Sequence, residues 1–425
     1  MISETLLSYL WKYKKFDTTQ LFTEEDLPIE IIETGRTNPA DGPDFLDARI
    51  RIQGYLWAGN IEIDISQQNW ELHKHHLNPK YNNVILHIIF EDSKKISPIY
   101  RLDGTPVPTL NLKKYTRQPL IEAYIQMQNR YSFIPCERLI SIKHVPKDFM
   151  NTILTERLIE KSEHFYKIYQ RNLDWLEVFW IAFAQGLGYP HNADAFMQMA
   201  ERLPIKVIIK YQRDLQSIEA LLFGTSGLLH NPQIQEPYYL NLQQKWKEIK
   251  TKHKIDMIPP HSVQFGNVRP NNFPTIRLMM LSRMLHHKID ILQKGFFIHS
   301  VEEWYKLFDD LATSHEFWDN HYVFEKTSTS KVKRIGRNTL NTMLINTILP
   351  VQFLYYQHYN PLKAQSILDY YKEIEVERNS ITKKWKELNM PLENAQHSQV
   401  WTHLYKKYCL NKKCLSCPIG QSILS

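Results

Sequence analysis

The sequence predicts a two-part chain: an α/β unit with a mixed sheet over residues 1–145, followed by a large, mainly α-helical domain over 146–425. Three observations carry this reading. After an opening helix, residues 28–91 run strand, strand, strand, short helix, strand, with turn formers between them. From about residue 147 the pattern changes to long helical periodicity with few strand signals. The length of 425 residues also exceeds what one hydrophobic core usually serves.

Taken in order, residues 3–15 place Leu6, Leu7, Leu10 and Trp11 on one helical face, with Glu4 a turn away. PIEIIETG at 28–35 is strand-like, and TNPADGPDF at 37–45 is dense in turn formers. ARIRI then alternates with period two, Gln53-Gly54 supplies a tight turn, and YLWAGNIEIDI at 55–65 returns, so 45–65 is expected to be a β-hairpin. SQQNWELHKHH at 66–76 has Ser66 at an N-cap position and is read as a short helix ending near Asn78-Pro79. VILHIIFE at 84–91 reads as a strand buried on both faces, and 98–102 with 107–112 can extend the sheet. Helices are expected over 147–171, 173–186, 192–202, 211–223, 273–293, 301–312, 338–357 and 362–389. The stretches 258–274 and 326–337 read as connections, and 258–274 is a candidate subdomain boundary.

With 43% hydrophobic and 23% charged residues, the composition is that of a folded globular protein, and no low-complexity segment occurs. MISETLLSYLWKYKK lacks the pattern of a secretory signal, and the apolar run around Trp175–Ala184 contains Glu177 and is too short for a bilayer. A cytoplasmic protein with no membrane partner is expected. Only four cysteines occur, three of them within 409–417, which argues against a disulfide framework. The net charge is +7, with 17 basic against 18 acidic residues over 1–145 and 35 against 27 in the remainder. Such an excess is compatible with nucleic acid as a partner without singling it out.

Asp44 enters the hairpin and Glu62 lies on its return strand, so antiparallel pairing can bring them together. Two carboxylates with a strand carbonyl such as that of Ile63 form the oxygen site that Mg²⁺ or Mn²⁺ takes. An ordinary hairpin with solvent-facing acids would show the same spacing. His73, Lys74, His75 and His76 follow, and His73 and His76 would share a helical face. Histidine titrates near neutrality and suits a general base. His87, inside VILHIIF, reads as a core side chain.

Pro43-Asp44 followed by Glu62-Ile63-Asp64, with this order of elements, resembles the PD-(D/E)xK phosphodiesterase superfamily over about residues 1–92. The resemblance implies a restriction-endonuclease-like αβββαβ core, with Asp44 and Glu62 as metal ligands, Glu4 as an additional carboxylate, and DNA or RNA as substrate. One position departs: Asp64 stands where that family usually has lysine. Either Asp64 is a further ligand with His73 or His76 handling protons, or the protein is a degenerate nuclease fold that binds nucleic acid or serves as a scaffold. A second resemblance spans nearly the whole chain. GPDFLDARIRIQGYLWAGNIEIDISQQNW, WLEVFWIAFAQGLGYPHNADAF, IEALLFGTSGLL, VRPNNFPTIRL and CLNKKCLSCPIG look like an uncharacterised bacterial family known as a domain of unknown function.

Cys409, Cys414 and Cys417 occur as C-x4-C-x2-C, which suits zinc or an iron–sulfur cluster, with His403 or Cys136 as a fourth ligand. Buried small thiols would give the same pattern. Lys331, Lys333, Arg334 and Arg337 form a basic run at the start of a helix, a candidate nucleic-acid contact or a solvated turn. Arg277 and Arg269 suggest packing, and Trp175, Phe179, Trp180 and Phe183 a helical core stripe.

Overall fold

A computed structural model describes residues 2–92, 97–128, 132–298, 300–309 and 315–425. The chain divides into two compact units, one of Met1–Phe149, Lys384–Met390 and Leu404–Ser425, the other of Met150–Lys383 and Pro391–His403. The first unit thus extends past the expected boundary at 145/146 to Phe149, and also takes in residues 384–390 and 404–425.

In the first unit, α1 (Glu4–Lys12) starts at Ser3, whose Oγ accepts the Leu6 N–H, and carries Glu4 in its first turn and Lys12 in its last, matching the helix dipole. Leu6, Leu7, Leu10 and Trp11 are fully buried, as the periodicity predicts. The sheet comprises β1 (Leu21–Phe22), β2 (Pro28–Glu33), β3 (Arg36–Thr37), β4 (Phe45–Ile52), β5 (Tyr55–Ile63), then β6 (Val84–Ile89) and, after the short ribbon β7 (Ile99–Tyr100) and β8 (Pro106–Val107), β9 (Thr109–Asn111). Its order is β1-β2-β4-β5-β6-β9, with β3 on β4 and the ribbon separate. β2, β4 and β5 are antiparallel, whereas β5, β6 and β9 run parallel, so the sheet is mixed. β4 and β5 turn at Gln53-Gly54, both in the left-handed region that a two-residue hairpin loop needs. β6 is buried at every position, consistent with a central strand covered on both faces.

The segment read as one helix over 66–76 is broken. α2 spans only Asn69–Leu72, Lys74 takes a left-handed conformation, and His75–Leu77 form a single 3₁₀ turn. Later in this unit comes α3 (Gln118–Gln126).

The second unit is mainly helical, from α4 (Phe149–Asn172) and α5 (Trp175–Gly188) onward. α5 is buried from Val178 to Gly188, with Phe179, Trp180 and Phe183 in the core as the aromatic stripe predicts, whereas Trp175 at its first turn is only half-buried. Helices α6 (Ala193–Arg202), α7 (Ile205–Lys210), α8 (Leu215–Thr225), α9 (Pro237–His253), α10 (Pro274–Lys288), α11 (Ile291–Lys294) and α12 (Val301–Asp309) follow. The expected end of α12 at 312 lies outside the described residues. α13 (Arg337–Met343) runs through a π-helical turn into α14 (Leu349–Tyr359). The single helix expected over 362–389 is two, α15 (Pro361–Glu373) and α16 (Ser380–Glu387), because Glu375 bridges Asn394 and Asn379 Oδ1 caps the new start. α17 (Ala395–Leu404) follows, and α18 (Pro418–Ile423) belongs to the first unit. No helix among the described residues is long and apolar enough to cross a membrane.

Candidate active site

β5 organises the site. Side chains alternate along a strand, so Ile61 and Ile63 enter the core on one face while Glu62 and Asp64 share the other, each of the four buried. Parallel register sets Glu62 beside His87 of β6, and pairing of Phe45 with Ile61 leaves Asp44, just before β4, next to Glu62. The Asp44 carboxylate accepts the Ile63 N–H at 3.0 Å, and the Glu62 carboxylate accepts the Asp44 N–H at 3.3 Å. The two acids are thus tied to each other's strands, which is the convergence expected of the hairpin.

Asp64 is held by its own N–H donating to the Ile88 carbonyl at 2.9 Å. Its two oxygens face two histidines, Oδ2 at 3.0 Å from His87 Nε2 and Oδ1 at 3.3 Å from His73 Nδ1. His75 Nε2 lies 3.1 Å from Glu62 Oε1, yet off the line of a hydrogen bond. Asp64, His73 and His75 each offer a donor atom within 4.8 Å of the others, a two-imidazole, one-carboxylate group. Glu4 on α1 is exposed, and its charge reaches both Asp44 and Glu62.

The histidine geometry corrects one expectation. His73 and His76 do not share a helical face, because the chain leaves the helix at His73 and reverses at Lys74. Residues two apart then meet instead, with the His73 and His75 rings 5.4 Å apart edge to face. His76 is not in the donor group, and its Nδ1 is buried without a hydrogen-bond partner. His87 is a buried strand residue, as expected, but it binds Asp64 and leaves Nδ1 without a hydrogen bond.

The wall behind these groups is aromatic, and no sequence signal singled it out. Trp70 is fully buried, with its ring centre 5.4 Å from both His75 and His87 and 6.0 Å from Tyr81. Its indole N–H donates to the Tyr100 carbonyl at 3.0 Å, and Tyr81 stacks on His75 at 4.0 Å. Trp70, Tyr81, Val84, Ile99 and Val107 form one apolar cluster. Such packing fixes imidazole orientation, which an exposed loop would leave free.

Burial dominates the electrostatics. It pushes Asp44 up to about 6, partly offset by the Ile63 N–H and reinforced by Asp64 and Glu4. It pushes Glu62 up to about 9, reinforced by Asp44 and Asp64 and opposed by the Asp44 N–H. His75 is pushed down by burial against the pull of Asp64 and Asp44, and the Tyr81 hydroxyl is pushed up by burial and by Glu62. The raised acids mark burial and crowded negative charge, whereas the lowered imidazole marks burial alone, which outweighs the pull of the acids.

Other candidates fare differently. Lys331, Arg334 and Arg337 are exposed, but Lys333 is 5% exposed, and its ammonium donates to the Asp319 and Lys331 carbonyls at 3.0 and 3.1 Å. Lys333 is therefore a structural cation and not a phosphate contact. Arg337 stacks over Tyr305. Arg277 is buried and donates to Asn272 and Thr339, with burial pulling it down to about 10. His403 lies 3.3 Å from Glu156 in the second unit, whereas Cys136, Cys409, Cys414 and Cys417 belong to the first.

Together these features define a protein with an α/β unit carrying a buried carboxylate–histidine centre and a separate helical unit. The chain belongs to the family of proteins of unknown function DUF2851, whose model matches residues 4–380. The terminal cysteines lie beyond that match. No curated protein and no solved structure matches the chain.

Proposed function

We propose that the first unit is a metal-dependent phosphodiesterase of the PD-(D/E)xK type, with a restriction-endonuclease-like core, acting on nucleic acid. The observation behind it is the cluster of three carboxylates, half-buried Asp44 with buried Glu62 and Asp64, and the imidazoles of His73, His75 and His87 within 3.3 Å of the latter two. Buried like charges are costly unless a cation joins them, and the unsatisfied His75 Nε2 adds a donor facing the same space. These residues fit a divalent ion. Bound there, it would polarise a phosphoryl oxygen and lower the pKa of a coordinated water. Asp44, Glu62 and Asp64 supply the hard oxygens that Mg²⁺ or Mn²⁺ takes, which leaves the imidazoles of His73 and His75 free of the ion.

The protein's own groups then do the proton work. His75, with its pKa lowered, is neutral near physiological pH and can accept a proton from attacking water. Trp70 and Tyr81 hold its ring, and half-exposed His73 offers a route for that proton to solvent. This assigns to histidine the role that lysine plays elsewhere in the superfamily, with Asp64 as a ligand.

The test is cleavage of a panel of single-stranded, duplex and branched DNA and RNA by the full chain with Mn²⁺, Mg²⁺ or EDTA. Cleavage by wild type that needs the ion and is lost in a folded Asp44→Ala variant is the expected result. Equal cleavage by both would assign the activity to a contaminant. Asp64 at the lysine position favours a second reading, a degenerate core that binds without cutting. Retention of the nucleic acids on the protein with no cleavage under any ion would select it.

A further inference from the structure

We infer that Cys136, Cys409, Cys414 and Cys417 form a four-thiolate site for a thiophilic metal centre, a zinc ion or an iron–sulfur cluster, both of which take such a ligand set. This stands apart from the phosphodiesterase reading.

Sequence spacing joins only the last three cysteines; packing brings in the first. Phe133, three residues before Cys136, stacks on Tyr405, four before Cys409, with ring centres 4.7 Å apart. α18 packs on the turn at Ile142–His144 that follows Cys136. The ligand loop is tightly wound: Lys413 N–H donates to the Tyr408 carbonyl, Cys417 N–H to the Cys414 carbonyl, and Gln421 N–H to the Cys417 carbonyl. Gly420 is required there, since a Cβ would lie 2.1 Å from the Cys414 carbonyl oxygen.

Cys136, Cys414 and Cys417 are each less than 9% exposed, and none of the four is in a disulfide. All four belong to the first unit. Burial pushes Cys136 up to about 12 and Cys414 to about 11, and the neighbouring thiols push each further; Cys409 moves the same way under all three others. Lys406, Lys407, Lys412 and Lys413 flank the set in sequence and lower the net charge of a bound centre. His403, the other candidate fourth ligand, lies 3.3 Å from Glu156 and belongs to the second unit, apart from the four cysteines.

The experiment is metal and sulfide analysis of the full chain purified without oxygen, with visible absorbance, for wild type, Cys136→Ser and Cys417→Ser. Stoichiometric zinc, or iron with equal sulfide and a charge-transfer band, lost in both variants, is the expected result; the two signatures identify which centre is held. Cys136→Ser with undiminished metal would overturn the four-thiol assignment. Wild type without metal, still empty after reconstitution with Zn²⁺ or with Fe²⁺ and sulfide, would overturn the site altogether. Because wild-type content decides alone, a variant that fails to fold leaves the inference refutable.

Discussion

Glu62→Gln should stabilise the metal-free protein while abolishing its response to metal. Glu62 is 6% exposed beside Asp44 and Asp64, and its carboxyl is raised to about 9 from an ordinary value of 4.5. An acid raised on folding contributes stability that is complete below its unfolded value and lost as pH rises through its folded value. At pH about 7.5 the side chain sits about three pH units above its unfolded value, and each unit is worth about 1.4 kcal/mol, so its neutralisation on folding costs about 4 kcal/mol. Glutamine keeps the oxygen that accepts the Asp44 N–H and carries no charge to neutralise. The expected gain at this pH is thus up to about 4 kcal/mol, or roughly 8–16 °C in melting temperature at about 2–4 °C per kcal/mol. Wild type and variant should converge near pH 4.5, where glutamate is neutral in both states for much of the time. Mn²⁺ should raise the wild-type melting temperature, increasingly at higher pH, and leave the variant unmoved. Thermal scans of both proteins over pH 4.5–8.5 with EDTA or Mn²⁺ read all of this. A variant that melts below wild type at every pH and still responds to Mn²⁺ would refute the account of crowded buried charge.

Three other outcomes follow from the same geometry. His75→Ala should lower cleavage about 10²–10⁴-fold while His76→Ala leaves it close to wild type, because His75 and not His76 joins the donor group; initial rates on the best substrate of the panel separate them. Trp70→Ala should cost about 3–5 kcal/mol in urea unfolding, since it empties a fully buried indole site and frees two imidazoles. In the second unit, Glu177 is raised to about 6 by burial, opposed by the Ile205 N–H that it accepts, so its contribution is complete below pH 4.5 and lost as pH passes about 6. Glu177→Gln should therefore stabilise by about 1 kcal/mol at neutral pH after allowance for solvent screening, with no gain at pH 4; urea titrations at both pH values test it.

The hairpin was the most legible part of the fold because its cues are local. Period-two alternation, Gln53-Gly54 and a nine-residue return strand fix which faces Glu62 and Asp64 take, and hence that Asp44 and Glu62 meet. The histidine that meets His73 lies one position from the one that helical spacing predicts, His75 in place of His76. Nothing in SQQNWELHKHH announces that Lys74 turns left-handed, and a single reversed residue moves His75 into the site and His76 out of it. Basic residues at 331–337 advertise charge but not that Lys333 spends its ammonium on carbonyls. The tie between Cys136 and the distant cysteines was open to sequence only as one of two choices, since spacing carries no signal across so long a separation. α9 carries a helical cue, since Tyr239, Leu242, Trp246 and Ile249 recur at helical spacing, but its many lysines and glutamines dilute the stripe.

The discontinuity of the first unit has a temporal side. Its sheet and candidate active site are complete by residue 149, but the segments 384–390 and 404–425 reach the ribosome exit only after the whole intervening unit has been made. At about 5–20 residues per second that is a delay on the order of ten to fifty seconds. During it, the surfaces that later receive Tyr405, Trp385 and the cysteine loop stand uncovered, and Cys136 waits beside them as a solitary thiol. In this interval the first unit's sheet exists without residues 384–390 and 404–425, and its packing is finished only when they arrive.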